Sequence, residues 1–218
     1  NFKIIKKGNE IVAAFCLARR GSLLITSSLN DPALFPLIWG SVKNEPITFK
    51  GILGDWNFCE PFWKYIKDEK IITKETYTVK ETLYAWDVSE SDGDKNVRML
   101  VPSDFLNWMD LRRKYIEEEG LPNTLTDTQM HEDFIWKSQQ GTVWGYFVEN
   151  QLVSTADFNA KGMDLAQLGG VFTLKEHRKK GYSKAVMKQI LSDAKSYHKL
   201  RKIVIFTGEE NFAARKLY

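Results

Sequence analysis

LGGVFTLKEHRKKGYS, residues 168–183, joins a run of strand formers (Leu168, Val171, Phe172, Thr173) to a basic turn that closes on Gly181. A helix is predicted directly behind it, with Val186, Ile190, Ala194 and Tyr197 on one face. Strand, glycine-containing turn and helix start together make an anion site. The first N–H groups of a helix have no partner inside it, and the helix dipole adds positive potential at that end. Gly181 permits the dihedrals such a turn demands. Its amide and those of Lys180, Tyr182 and Ser183 are expected to converge on a phosphate, with Arg178, Lys179 and Lys180 attracting a polyanion from further out. Gly169 and Gly170 weaken a strand interior and mark a bulge or the close approach of another backbone. No GK[ST] follows the glycine, which excludes a Walker loop. The turn has a single glycine where a dinucleotide fingerprint needs three.

Outward from this stretch the pattern stays alternately strand and helix. Ile203 to Thr207 read as a strand, followed by Asn211 and, two helical turns on, Tyr218. On the other side, Val143 to Val148 and Leu152 to Phe158 are separated by Glu149, Asn150 and Gln151 and read as an antiparallel hairpin. Thr126 and Asp127 open a helix that carries Met130, Phe134, Ile135 and Trp136 and ends at Gly141. Pro102, Ser103 and Asp104 cap an earlier one running to Tyr115, stopped by Gly120 and Pro122, with a strand from Val97 to Val101 before it. Residues 94–218 are therefore read as one mixed α/β domain and residues 1–93 as a separate α/β domain, joined through the turn-rich Ser89 to Asp94. In the first domain, Glu10 to Leu17, Ser22 to Thr26 and Tyr77 to Val88 are strand candidates. Asp31 and Pro32 open a helix through Trp39, and Trp56 to Tyr65 form another.

The order β, α, α, β, β, β, α, β, α, the wording VFTLKEHRKKG and the spacing from Asn211 to Tyr218 resemble the GNAT N-acetyltransferase superfamily. Ser183 stands where that family's turn usually ends in Gly or Ala. The resemblance is closest from Ala166 onward. The first domain, through GSLLITSS, GILGDWNF and ETLYAWDV, is similar to the amino-terminal half of predicted acetyltransferases and could be a degenerate half of the same fold. The resemblance implies a splayed mixed sheet flanked by helices, with acetyl-CoA as cofactor. Val171, Phe172 and Thr173 would supply main-chain contacts to the pantetheine arm, with a backbone N–H of Val171 or Phe172 for the oxyanion. Arg178 to Ser183 would hold the pyrophosphate, Asn211 the cofactor or neighbouring backbone, and Tyr218 would be the general acid for the leaving thiolate. Many relatives place a Glu on the strand before the turn. Here Gln167 stands there, and Asp164, Glu209 and Glu210 offer no clear base. The chain stops at Tyr218, before the family's Gly-Phe and final strand, and loss of that strand would open the substrate side of the sheet. It begins on Asn1, not Met, and trimming at one or both ends is expected.

Composition removes other classes. With 218 residues and a formal charge of +3 the chain is not basic enough to imply nucleic acid by charge alone. Its basic run from Lys175 to Lys202 lacks the interleaved aromatics of a stacking platform. No apolar run approaches the roughly 20 residues of a bilayer span. Cys16 and Cys59 are outside any CxxC or Cys/His cluster, and His131, His177 and His198 lack metal spacing, so neither disulfide nor metal is expected and a reducing cytoplasm is the default. The expected partners are acetyl-CoA and an unidentified amine, without membrane or nucleic acid and with a homodimer allowed. The alternative is a non-catalytic CoA-binding or partner-binding module that keeps the turn and lacks the base.

Overall fold

A computed structural model describes residues 2–69, 75, 78–90, 92–120 and 125–218. Asn1, Tyr77, Ser91 and Pro122, each invoked above, lie outside the described residues. The chain divides into two units, Asn1–Lys80 and Glu81–Tyr218.

The first unit begins with three antiparallel strands, β1 (Lys3–Lys7), β2 (Glu10–Leu17) and β3 (Ser22–Ser27). Helix α1 (Leu34–Val42) then crosses to β4 (Gly51–Leu53), parallel to β3, and α2 (Trp56–Asp68) follows. Asp55 caps α2 by accepting from the Asn57 N–H at 2.9 Å. Asp31 does not itself cap α1. It accepts from the Ala33 N–H at 2.9 Å, in a turn that delays the helix to Leu34. Ile38, Phe58, Phe62 and Ile66 are fully enclosed in this unit's own core with Leu23 of β3.

The second unit holds a six-stranded mixed sheet. Its elements are β5 (Glu81–Asp87), β6 (Val97–Met99), α3 (Phe105–Glu118), α4 (Asp127–Gln139), β7 (Val143–Val148), β8 (Gln151–Gly162), β9 (Leu165–Thr173), α5 (Tyr182–Ser196), β10 (Lys202–Gly208) and α6 (Phe212–Leu217). The sheet order is β5-β10-β9-β8-β7-β6. Strand β5 pairs antiparallel with β10 along its whole length, from Lys202 opposite Asp87 to Gly208 opposite Glu81. The division between the two units lies before Glu81, so β5 stays with the sheet it pairs with. Strand β5 thus lies along the edge of β10 away from β9. Trp144, Phe134, Leu168, Ile190 and Ile203 are fully buried between the sheet and its helices.

The last six elements of each unit run in the same sequence with the same pairing. Two antiparallel steps (β1-β2-β3 and β7-β8-β9) lead through a helical crossover to a parallel strand (β4, β10) and a closing helix. The first unit thus has the topology of half of the second.

Candidate acyl-transfer site

Strands β9 and β10 pair only from Lys202 opposite Leu165 to Val204 opposite Gln167. Beyond that point they part, so the backbone groups of β9 from Leu168 to Thr173 have no β10 partner while β8 still pairs on their other side up to Thr173. The register of β8 against β9 shifts between Thr155 and Asp157, leaving Gly170 and Val171 opposite the single residue Ala156. This is a bulge. Gly170 has φ +56, and a Cβ there would meet the Asp157 carboxylate. Gly169 is needed for a different reason, since its would-be Cβ lies inside the Asn159 side chain.

At the end of β9 the chain makes a single 3₁₀ turn and reaches Gly181, left-handed at φ 84, at the start of α5. Lys179 is also left-handed, φ 61. No side chain caps α5, so its first N–H groups face outward uncapped, the condition for receiving a phosphate. A cavity of about 500 Å³ beside the turn is lined by Gly181, Lys184, Ala185 and Lys188 on one side and by residues 92–95 on the other. Tyr182 stacks on Tyr146 with ring centroids 4.2 Å apart, which fixes the turn against β7.

Arg178 is placed differently from the other basic residues. Its Nε donates to the Thr173 carbonyl at 3.0 Å and its Nη2 to Glu118 at 2.7 Å. It braces the end of β9 against the end of α3 instead of extending toward solvent. Thr173 Oγ1 shares a 2.8 Å hydrogen bond with Ser154, and Phe172 packs edge-on against Tyr115 at 5.5 Å. Asn211 accepts from the Ala214 N–H at 3.1 Å and so caps α6.

Tyr218 is where β5 matters. Its ring rests against Tyr84 and Trp86, both 5.7 Å away centroid to centroid. Burial, then Tyr115 and Glu119, hold its phenol well above the usual tyrosine range. Tyr115 is raised in the same way, by burial first, with Arg112 opposing and Glu119, Asp157 and Glu81 adding. Arg112, Tyr115 and Asp157 line a small cavity beside Gly170, and Tyr218, Glu119 and Glu81 are linked to Tyr115 through their charges. Only Tyr218 of these stands out in the sequence, through its spacing from Asn211. Arg112 and Tyr115 share α3, Glu119 lies just beyond it, and Asp157 and Glu81 lie on β8 and β5, with no motif among them. Among the tryptophans of this unit, Trp108 lines a small cavity, Trp144 is buried core, and Trp136 is exposed. No group of three or more His, Cys, Asp or Glu among the described residues could hold a metal ion, and no described helix is long and apolar enough to cross a membrane.

Residues 106–218 match the model of the acetyltransferase (GNAT) family. Among solved structures, a GNAT-family acetyltransferase from Colwellia psychrerythraea is similar with a TM-score of 0.57 and 14% identity, over 99% of this chain and 78% of that one. At that identity the likeness is one of fold. An acetyltransferase of the GNAT family from Streptococcus pneumoniae gives a TM-score of 0.49 at 17% identity, covering 56% of this chain and 80% of its own. A predicted acetyltransferase from Clostridium acetobutylicum, solved with acetyl-CoA, gives 0.47 at 19%, covering 56% and 86%. No curated protein matches the chain.

Proposed function

The chain belongs to the GNAT acetyltransferase family, and on that premise we propose that it transfers an acetyl group from acetyl-CoA directly to a primary amine. The observation that carries this reading is the gap between β9 and β10, which ends at the uncapped start of α5. A pantetheine arm laid in the gap would add as a strand to the free edge of β9, and the pyrophosphate would rest on the N–H groups of Gly181, Tyr182 and Ser183. The residues fit the cofactor: a left-handed glycine, uncapped helix amides and lysines around the adjoining cavity.

Acetyl-CoA supplies a thioester whose acyl carbon is open to an amine. The bulge at Gly170 and Val171 turns backbone N–H groups of β9 out of the ladder, where they can stabilise the charge that gathers on the acyl oxygen. Burial first, then Tyr115 and Glu119, raises the pKa of Tyr218, which favours its protonated phenol. A phenol so reluctant to ionise donates to the departing sulfur only as it is resupplied from the amine nitrogen, which makes it a relay between the two. Direct transfer agrees with the cysteines. Burial and then Asp55 push the Cys59 thiol up to about 11, so it is no ready nucleophile.

The test pairs calorimetry with thiol release. Wild type should bind acetyl-CoA and release CoA with at least one member of an amine panel (spermidine, an aminoglycoside, a lysine peptide, a peptide with a free N-terminus). Tyr218→Phe should keep acetyl-CoA affinity and lose on the order of 10²-fold or more in kcat. Tight binding with no turnover on any amine would mean a binding module instead.

A further inference from the structure

Asp157 is the most deeply buried carboxylate on this face, 5% exposed, on the strand opposite the bulge. Its Oδ2 accepts from Lys137 at 2.7 Å, while its Oδ1 is buried without a hydrogen-bond partner. A buried unpaired carboxylate oxygen is costly. It points into a cavity of roughly 10 Å³, about the room of one water molecule, walled by Trp108, Arg112, Tyr115, Thr155 and Gly170. That space opens beside Gly170, next to where the parted edge of β9 would present the acyl carbon.

Resting on the acetyl-transfer reading above, we propose that Asp157 is the general base, receiving through Oδ1 the proton that a primary amine must lose before it attacks. A cavity of this size admits the head of an unbranched primary amine and little more. The charged and titratable groups at the carboxylate and its cavity are Lys137 and, through it, Asp133 from α4, and Arg112 and Tyr115 from α3, while Glu119, just past α3, and Glu81 of β5 act on Tyr115 from further off. Lys137 is the positioning residue. Burial works against its charge, but Asp157 and then Asp133 more than offset that, and it fixes Oδ2 so that Oδ1 is left for the amine. Arg112, 4.9 Å from the Tyr115 ring, adds positive charge that favours the neutral amine once inside.

An ammonium loses two protons on becoming an amide. The first goes to Asp157 and from there to solvent between turnovers. The amine nitrogen then forms a bond to the acyl carbon as the C–S bond breaks and its electron pair leaves on sulfur. Tyr218 protonates that sulfur and recovers its own proton from the nitrogen, so charge and atoms balance.

The experiment measures kcat, KM and acetyl-CoA Kd against pH for wild type, Asp157→Asn and Lys137→Gln, using the best amine of the panel named above. Asp157→Asn should lose on the order of 10²-fold or more in kcat with acetyl-CoA Kd within about twofold of wild type. Lys137→Gln keeps the carboxylate but removes its counter-charge. Its acidic limb in kcat/KM should move up by about one pH unit or more, a shift that loss of packing alone does not produce. If Asp157→Asn fails to fold, the Lys137→Gln profile decides. Unchanged kcat in the first variant, or an unmoved limb in the second, overturns the role of Asp157 while transfer by wild type keeps the function. Acetyl-CoA binding by wild type with no amine turned over removes both.

Discussion

At the residue scale the site depends on Gly170. An L side chain at its φ of +56 costs about 1–2 kcal/mol. Its Cβ would also sit 2.9 Å from Asp157 Oδ1 and 3.4 Å from Cγ. Asp157 cannot yield easily, because Lys137 holds it from the other side. Gly170→Ala should therefore destabilise the second unit by about 2–3 kcal/mol, the sum of backbone strain and a contact that must be relieved, and should impair turnover as the carboxylate is displaced. Gly162→Ala on the neighbouring strand, where nothing lies within 4 Å, is the control and should leave stability nearly unchanged. Urea unfolding would compare the midpoints. Equal midpoints for the two variants would show that the bulge is more compliant than its geometry implies.

At the scale of elements, the junction of β6 and α3 is held by one carboxylate. Asp104 takes two hydrogen bonds from Arg98, at 2.6 and 2.8 Å, and one from the Val101 N–H at 2.8 Å. Arg98 first, against a burial penalty, and then the Val101 amide hold its carboxyl below the usual Asp range. A lowered native pKa gives stability that is full above about pH 4, where unfolded Asp is ionised, and is lost as pH falls through the native value. Asp104→Asn should cost about 1–3 kcal/mol at neutral pH, the lower part favoured because Arg98 is half exposed. Its stability should then fall less steeply than wild type below pH 4. Parallel acid limbs in the two proteins would exclude this carboxylate as the cause. The elements themselves were largely legible: the hairpin, the glycine turn and the two strands around α5 follow from alternation, Gly181 and helical spacing. What was not legible depends on pairing across distance. Nothing in Glu81 to Asp87 says that it will lie beside β10 and seat Tyr218 with Tyr84 and Trp86. Asp157 looks like one position in a strand until Lys137, a turn of another helix away in space, is brought to it.

For the whole molecule, the shared topology of the two units raises the question of whether both bind a cofactor, and local chemistry answers it. Where the second unit has Arg178 to Ser183, the first has Ser28 to Ala33, without glycine and without a basic residue. The Asp31 carboxylate already accepts from the Ala33 N–H, and the carbonyls of Asp31 and Pro32 accept from Leu34 and Phe35. An anion would meet a negative charge in place of open amides. The strands differ too. β3 and β4 pair over three residues as β9 and β10 do, but Gly54, just after β4, stays so close to the Ile25 carbonyl of β3 that a Cβ would not fit. Repetition of a strand order thus preserves a core, while the open helix start proposed to receive the cofactor's phosphate is found, among the described residues, in the second unit and not in the first. Titration of the full chain with acetyl-CoA should accordingly saturate at one equivalent, and Gly181→Val, which forces a β-branched side chain into the left-handed region, should abolish that binding without exposing a weaker second event. Saturation at two equivalents, or residual stoichiometric binding in the Gly181→Val protein, would place a working cofactor site in the first unit and overturn the argument from its turn.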